Sequence, residues 1–190
     1  GERRLFSDLA FELAPGEWLH VQGENGTGKT TLLRALVGLS QPAAGEIRWR
    51  GQPIRGLGED YRRDMLYLGH HGAVKEELTP LENLQLAAAL DGRSLDDREA
   101  IATLRHFGLK GREELPVRFL SAGQKRRVLL ARLVTRRALL WVLDEPFTAL
   151  DVKAVAMLSA LIEEHLAQGG MTILTSHQTM PMANGKVVKL

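Results

Sequence analysis

The chain has 190 residues, with 25 Lys plus Arg against 23 Asp plus Glu and a net charge of +2. That length supports one domain with its own core, and so small a charge excess gives no basis for a nucleic-acid or polybasic membrane surface. The absence of cysteine excludes disulfides and thiolate metal sites, and the longest apolar run, "ALLWVL" at 138–143, falls far short of the roughly 20 residues a membrane span needs.

Nothing at the N-terminus has the basic, apolar and small-residue order of a signal peptide, so any membrane role is expected to come through a partner. The opening "LFSDLAFELAPGEWLHVQG" alternates apolar and polar residues around Pro15-Gly16, which predicts two strands joined by a turn. A glycine-rich loop follows. From Lys29 the spacing turns helical, with Leu32, Leu36 and Leu39 on one stripe and Leu33 and Val37 beside it. "GEIRWRGQPI" predicts a strand ending in a turn, and "DMLYLGHH" a short apolar strand running into a loop.

The middle third is helical. "TPLENLQLAAALDG" opens on Thr79 as cap, with Pro80 in the first helical position and Glu82 closing a capping box, and "SLDDREAIATLRHFGL" supplies a second helix ending near Gly108. A third begins at Ser121, where "LSAGQKRR" sets Gln124 three residues after a serine, again the pattern of a capping box. Together these predict a helical lobe from about Gly72 to Arg137. Strands then return: "ALLWVLDE" and "MTILTSH" as buried parallel strands, "VKAVAMLSALIEEHLAQGG" as the helix between them, and "GKVVKL" as a last short strand. The alternation predicts an α/β core carrying an α lobe.

"GENGTGKT", Gly23 to Thr30, has two glycines around four residues followed by Lys and Thr. Glycines let backbone amides converge on phosphate oxygens, and the helix that follows adds its partial positive end. Lys29 is expected across the β- and γ-phosphates, and the Thr30 hydroxyl on a magnesium ion. Alone, the loop indicates a nucleoside triphosphate and no more. "LLWVLDEP" then places two carboxylates at the carboxyl end of an apolar strand, where open α/β sheets bind ligands. Asp144 is the metal candidate, and Glu145 the candidate to orient and deprotonate an attacking water.

The ordered set of phosphate loop, "LSAGQ", acidic strand end, "TALD" and a histidine after the next strand resembles the ATP-binding subunits of ABC transporters over essentially the whole chain. The resemblance implies a P-loop core of mainly parallel sheet with an antiparallel β subdomain and a helical subdomain. It implies one domain, with the core at 1–71 and 138–190 and the helical lobe at about 72–137. Gly23, Glu24, Asn25, Gly26, Thr27, Gly28, Lys29, Thr30 and Thr31 are then the phosphate-binding segment. Ser121, Gly123 and Gln124 match the signature that closes over the γ-phosphate held by a second copy, with Ala122 where a second glycine is commoner. Thr148 to Asp151 match the loop joining the two active sites, and His177 the histidine that contacts the γ-phosphate.

Two departures stand out. His70 occupies the spacing at which the family has a glutamine reaching the metal; imidazole is shorter and titrates near neutrality, and His70 or His71 shaping the loop is the alternative. The aromatic residue that stacks on adenine in the family is expected ahead of Gly1. A narrower resemblance, carried by "GHHGAVKEELTPLENL", "LPVRFLSAGQKRR", "DEPFTALDV" and "TSHQ", is to the ATPases of haem-exporting cytochrome c maturation systems. It implies Mg²⁺ and ATP, a homodimer closed around ATP, a multispanning membrane subunit, and a peripheral place on the cytoplasmic face of a bacterial inner membrane. A soluble ATPase of the same family serving iron-sulfur assembly stays open as an alternative. A non-hydrolytic nucleotide sensor is disfavoured because Lys29 and Glu145 are both present.

Overall fold

A computed structural model describes residues 5–69, 74–177 and 182–190. In chain order the elements are β1 (Trp18–Gln22), α1 (Lys29–Leu36), β2 (Arg48–Trp49), β3 (Gln52–Pro53), α2 (Ile54–Leu57), α3 (Glu59–Asp64) and β4 (Met65–Leu68). There follow α4 (Pro80–Leu90), α5 (Asp97–His106), α6 (Ala122–Leu130), α7 (Arg132–Thr135), β5 (Leu140–Leu143), α8 (Val152–Ala167), β6 (Met171–Thr175) and β7 (Lys186–Lys189). Two compact units divide them: Gly1–Gly69 with Ala138–Pro146 and Ser159–Leu190, and His70–Arg137 with Phe147–Leu158.

The first unit is built on a five-stranded sheet in the order β4-β5-β6-β1-β7, every neighbouring pair parallel. β5 and β6 are buried at every residue, as central strands covered on both faces must be, which is why their sequences run apolar without alternation. Leu19 and Val21 of β1, Val142 of β5 and Ile173 of β6 form one apolar cluster with Leu32, Leu33 and Leu36 of α1. The carboxyl ends of β1, β5 and β6 therefore emerge together, and each is followed by a polar loop.

Four local expectations are corrected. Leu39 leaves the helical stripe and is 61% exposed. Gly38 takes φ 76°, and the Leu39 and Gly38 amides donate back to the Arg34 and Ala35 carbonyls at 2.8 and 3.0 Å, closing the helix one turn early. Residues 5–14 form no ladder; Asp8 at φ 54° breaks the extended run, and Phe6, Leu9, Phe11 and Leu13 bury their side chains against the cluster instead. The "GEIRWRGQPI" strand contracts to a hairpin of two-residue strands, turned by Arg50 and Gly51 at φ 50° and 78°. Pro53 lacks a ladder donor, and α2 begins at once. α2 and α3 have no signal in the sequence pattern, because Gly56 and Gly58 interrupt the helical period.

α3 earns its place through Tyr61, which is buried and donates its hydroxyl to the Leu36 carbonyl at 2.7 Å. In the second unit the Thr79 capping box is present: Thr79 Oγ1 accepts from the Glu82 amide at 3.1 Å and Glu82 accepts from the Thr79 amide at 2.8 Å. α5 is capped by Asp96, and Leu84, Ala88, Ala100, Leu104 and Phe107 are buried within this unit.

Burial pushes the Tyr61 phenol up to about 12. An unfolded tyrosine ionises near 10, so between these values the unfolded chain loses a proton that the folded one keeps, and stability declines as pH rises. Tyr61→Phe should cost about 1 kcal/mol at neutral pH and flatten that alkaline decline. Urea unfolding at about pH 8 and about pH 11 checks both effects.

Candidate active site

The loop from Gly23 to Gly28 links the end of β1 to the start of α1. Gly28 is the N-cap at φ 108°, a conformation that side-chain-bearing residues rarely adopt, and it gives the first turn of α1 no side-chain cap. Amides without a side-chain acceptor at a helix start are of the kind that can take an anion. Glu24, Asn25 and Gly26 form the exposed tip, while Thr27 donates its hydroxyl to the Glu24 carbonyl at 3.0 Å. Lys29 is 8% exposed. It folds back over the loop, donating to the Gly23 and Glu24 carbonyls at 2.7 and 3.0 Å, which uses two of the three donors of an ammonium group. Thr31 lies exposed in the same first turn.

Thr30 turns its hydroxyl to Asp144, donating to Oδ2 at 2.9 Å. Asp144 is 2% exposed and its amide donates to the Leu68 carbonyl at 2.8 Å, which extends the β4–β5 ladder by one residue. A buried carboxylate beside a hydroxyl is a hard oxygen donor pair of the kind magnesium takes, since that ion binds through one or two protein groups and fills its shell with phosphate and water. Among the described residues no three His, Cys, Asp or Glu side chains converge on a ready-made metal cage. The donor set thus fits a cation that arrives with a triphosphate. His70, the third metal candidate, and His71 lie outside the described residues.

Glu145 leaves the strand at φ 50°, a left-handed conformation that costs on the order of 1–2 kcal/mol for a residue with a side chain, and Pro146 follows it. Its Oε1 is 3.2 Å from His177 Nε2, the carboxyl being 13% and the imidazole 47% exposed. The glutamate, the histidine, Asp144, Thr30 and the lysine loop all belong to the first unit.

Three neighbours of this site carry no signal in the sequence. Thr175, at the end of β6, donates to Asp144 Oδ1 at 2.7 Å and accepts from the Glu145 amide at 2.8 Å. His20 is 4% exposed; Gln22 donates to its Nδ1 at 3.1 Å, so its Nε2 carries the proton and donates to the Ser176 carbonyl at 3.2 Å. Burial first, and the Asp144 charge second, raise the Tyr67 phenol above its ordinary value.

The remaining predicted residues gather in the second unit. Ser121 Oγ accepts from the Gln124 amide at 3.2 Å and Gln124 Oε1 accepts from the Ser121 amide at 2.9 Å, so the capping box is complete. A Cβ on Gly123 would lie 2.8 Å from the Ala149 carbonyl, so only glycine lets the "TALD" loop approach α6 this closely. Asp151 caps α8 through the Ala154 amide at 2.8 Å and pairs with Arg127 of α6. The Ala154 hydrogen bond, then Arg127, hold its carboxyl below the usual range.

A family profile described as "ABC transporter" matches residues 6–148. A relative from Dechloromonas aromatica (strain RCB), described as "Cytochrome c biogenesis ATP-binding export protein CcmA", is 55% identical over 190 residues, 100% of this chain and 93% of its own. A relative of the same description from Escherichia coli (strain K12) is 48% identical, with 100% of this chain and 89% of its own covered. Among solved structures, an ATP binding subunit of an ABC transporter superposes with TM-score 0.79 at 32% identity, covering 91% of this chain and 73% of its own. A dimeric ATP-binding cassette in a post-hydrolysis state, bound to ADP and phosphate, shares the fold with TM-score 0.77 at 24% identity, covering 88% and 78%.

Ser121→Ala removes the side-chain acceptor at the start of α6 and should destabilise the chain by about 1 kcal/mol. The shift in the urea midpoint measures it, and no shift would mean that solvent satisfies the Gln124 amide equally well.

Proposed function

The chain belongs to the ATP-binding subunits of ABC transporters and is an ATPase of that family, and from this premise we propose that it works as a head-to-tail homodimer that hydrolyses two Mg·ATP to drive a multispanning membrane partner. The system proposed is haem export for cytochrome c biogenesis, with a CcmB-like membrane subunit and a CcmC-like one beside it. Its support is the description shared by full-length relatives at 55% and 48% identity. Among the described residues no helix is long and apolar enough to cross a membrane. The place proposed with that system is peripheral, on the cytoplasmic face of a bacterial inner membrane, held by those partners, and it too is supported by the relatives' shared description.

The observation that supports this mechanism most is the pair of contacts at the strand ends, Thr30 to Asp144 at 2.9 Å and Glu145 to His177 at 3.2 Å, beside a lysine loop. The loop amides and Lys29 hold the phosphates. Thr30 and Asp144 would hold Mg²⁺, which when bound would neutralise charge on the phosphates. Glu145 accepts the proton of the attacking water, and His177 restrains that carboxylate and meets the γ-phosphate. Ser121, Gly123 and Gln124 bring the N-terminus of α6 to the other copy's γ-phosphate, with Asp151 on the adjoining loop. A helix N-terminus facing an anion contributes up to about 2 kcal/mol, so each contact closes the dimer weakly and reversibly. The triphosphate state alone offers the γ-phosphate, so ATP favours the closed dimer and hydrolysis removes that preference.

Glu145→Gln should keep ATP binding, slow turnover by about 10²–10⁴-fold and leave ATP-dependent dimers that persist on size exclusion. A native rate in this variant would remove Glu145 from the role of base. Native-complex purification tests the partner: a multispanning subunit with bound haem supports export, whereas recovery with soluble scaffold proteins alone would favour an iron-sulfur role.

A further inference from the structure

The carboxyl end of β6 contributes more than His177. The parallel register pairs Leu143 with Leu174, so the next residues, Asp144 and Thr175, emerge side by side. Thr175 is fully buried. Its hydroxyl has one proton and two lone pairs. The Asp144 carboxylate, 2.7 Å away, can only accept, and the Glu145 amide, 2.8 Å away, can only donate, so the direction of both hydrogen bonds is fixed. One hydroxyl thus joins two consecutive acidic residues through different groups, the side chain of one and the backbone of the other.

Each bond has a separate geometric consequence. The bond to Asp144 Oδ1 leaves Oδ2 directed at the Thr30 hydroxyl, so the carboxylate is held from both ends. The bond to the Glu145 amide anchors the backbone where it enters the left-handed conformation at φ 50°, and that conformation sends the Glu145 carboxyl to His177. Valine has the shape of threonine and neither hydrogen-bonding capacity. Serine has both.

We propose that Thr175 is a positioning residue for ATP hydrolysis, setting the Asp144 carboxylate and the Glu145 backbone in their working orientations through a single hydroxyl. It rests on Asp144 and Glu145 being the working carboxylates, as proposed above. Loss of the hydroxyl should slow the chemical step while leaving phosphate binding by the Gly23–Lys29 loop intact, since Thr27 and Lys29 brace that loop through its own carbonyls.

The experiment measures steady-state ATP hydrolysis by the full chain, with whatever subunits co-purify, and binding of a fluorescent trinitrophenyl-ATP probe, for Thr175→Val and Thr175→Ser in the native and Glu145→Gln backgrounds. Expected are a fall in kcat of about tenfold or more for Thr175→Val with probe affinity in the absence of magnesium within about twofold, recovery to within about threefold in Thr175→Ser, and a further loss when Thr175→Val is added to Glu145→Gln that is clearly smaller than the loss in the native background, because only the part exerted through Asp144 remains. A native kcat in Thr175→Val, equal losses in the valine and serine variants, or a full additional loss in the Glu145→Gln background would overturn it. Should Thr175→Val not fold, Thr175→Cys replaces it, its weakly donating thiol predicting a rate between those of serine and the Glu145→Gln variant; a native rate there overturns the assignment equally. Glu145→Gln alone separates the two levels: if it turns over normally the mechanism fails, and if it is slow while Thr175→Val is not, only the role of Thr175 fails.

Discussion

Thr30 stands at the start of α1 and Asp144 one residue past β5, and the hydroxyl of the first reaches the carboxylate of the second at 2.9 Å. Everything proposed for the first unit depends on that contact, because it holds the helix start proposed to receive phosphate against a buried acid. The sheet makes it reachable. β1 and β5 both flank β6, and their parallel registers bring all three carboxyl ends out at one level, so chain segments far apart in sequence meet without a long loop. The apolar residues of β5 and β6 and the Leu32, Leu33 and Leu36 face of α1 fix the register. Shifting a strand by one residue would turn its whole buried set to the opposite face.

In the second unit one stretch combines two demands. Ser121 and Gln124 satisfy each other's backbone amides, and the same helix end is the proposed contact for a second copy's γ-phosphate. These are compatible because a capping box occupies only some of the free amides of a first turn. Gly123 and the Asp151–Arg127 pair hold the "TALD" loop against α6 within the unit. A rearrangement of one would be felt by the other.

Much of this was legible in the sequence wherever the physics is local. The Gly23–Thr30 loop declares itself by spacing, the helix starts at Thr79 and Ser121 by cap residues three positions ahead of Glu82 and Gln124, and β5 and β6 by apolar runs ending in polar residues. Where pairing is long-range, the sequence is silent. Thr175 lies 31 residues from Asp144 and His20 lies 156 from Ser176; each looks like an ordinary strand residue until the register is known. Leu39 and the 5–14 segment misled for the opposite reason: a periodic apolar pattern continued past Gly38 and across Asp8, where single residues at positive φ end it. α3 has no periodic signal because two glycines precede it, and it is the burial of Tyr61 against the end of α1 that ties it to the core.

The Thr30 and Asp144 pair is proposed to hold the metal that accompanies ATP. Isothermal titration of ATP into the native chain and into Asp144→Asn, with and without magnesium, tests it most directly. Magnesium should strengthen ATP binding to the native chain by about tenfold or more and add little in the variant, which still binds metal-free ATP through the Lys29 loop. A variant that retains the full magnesium dependence of the native chain would contradict it.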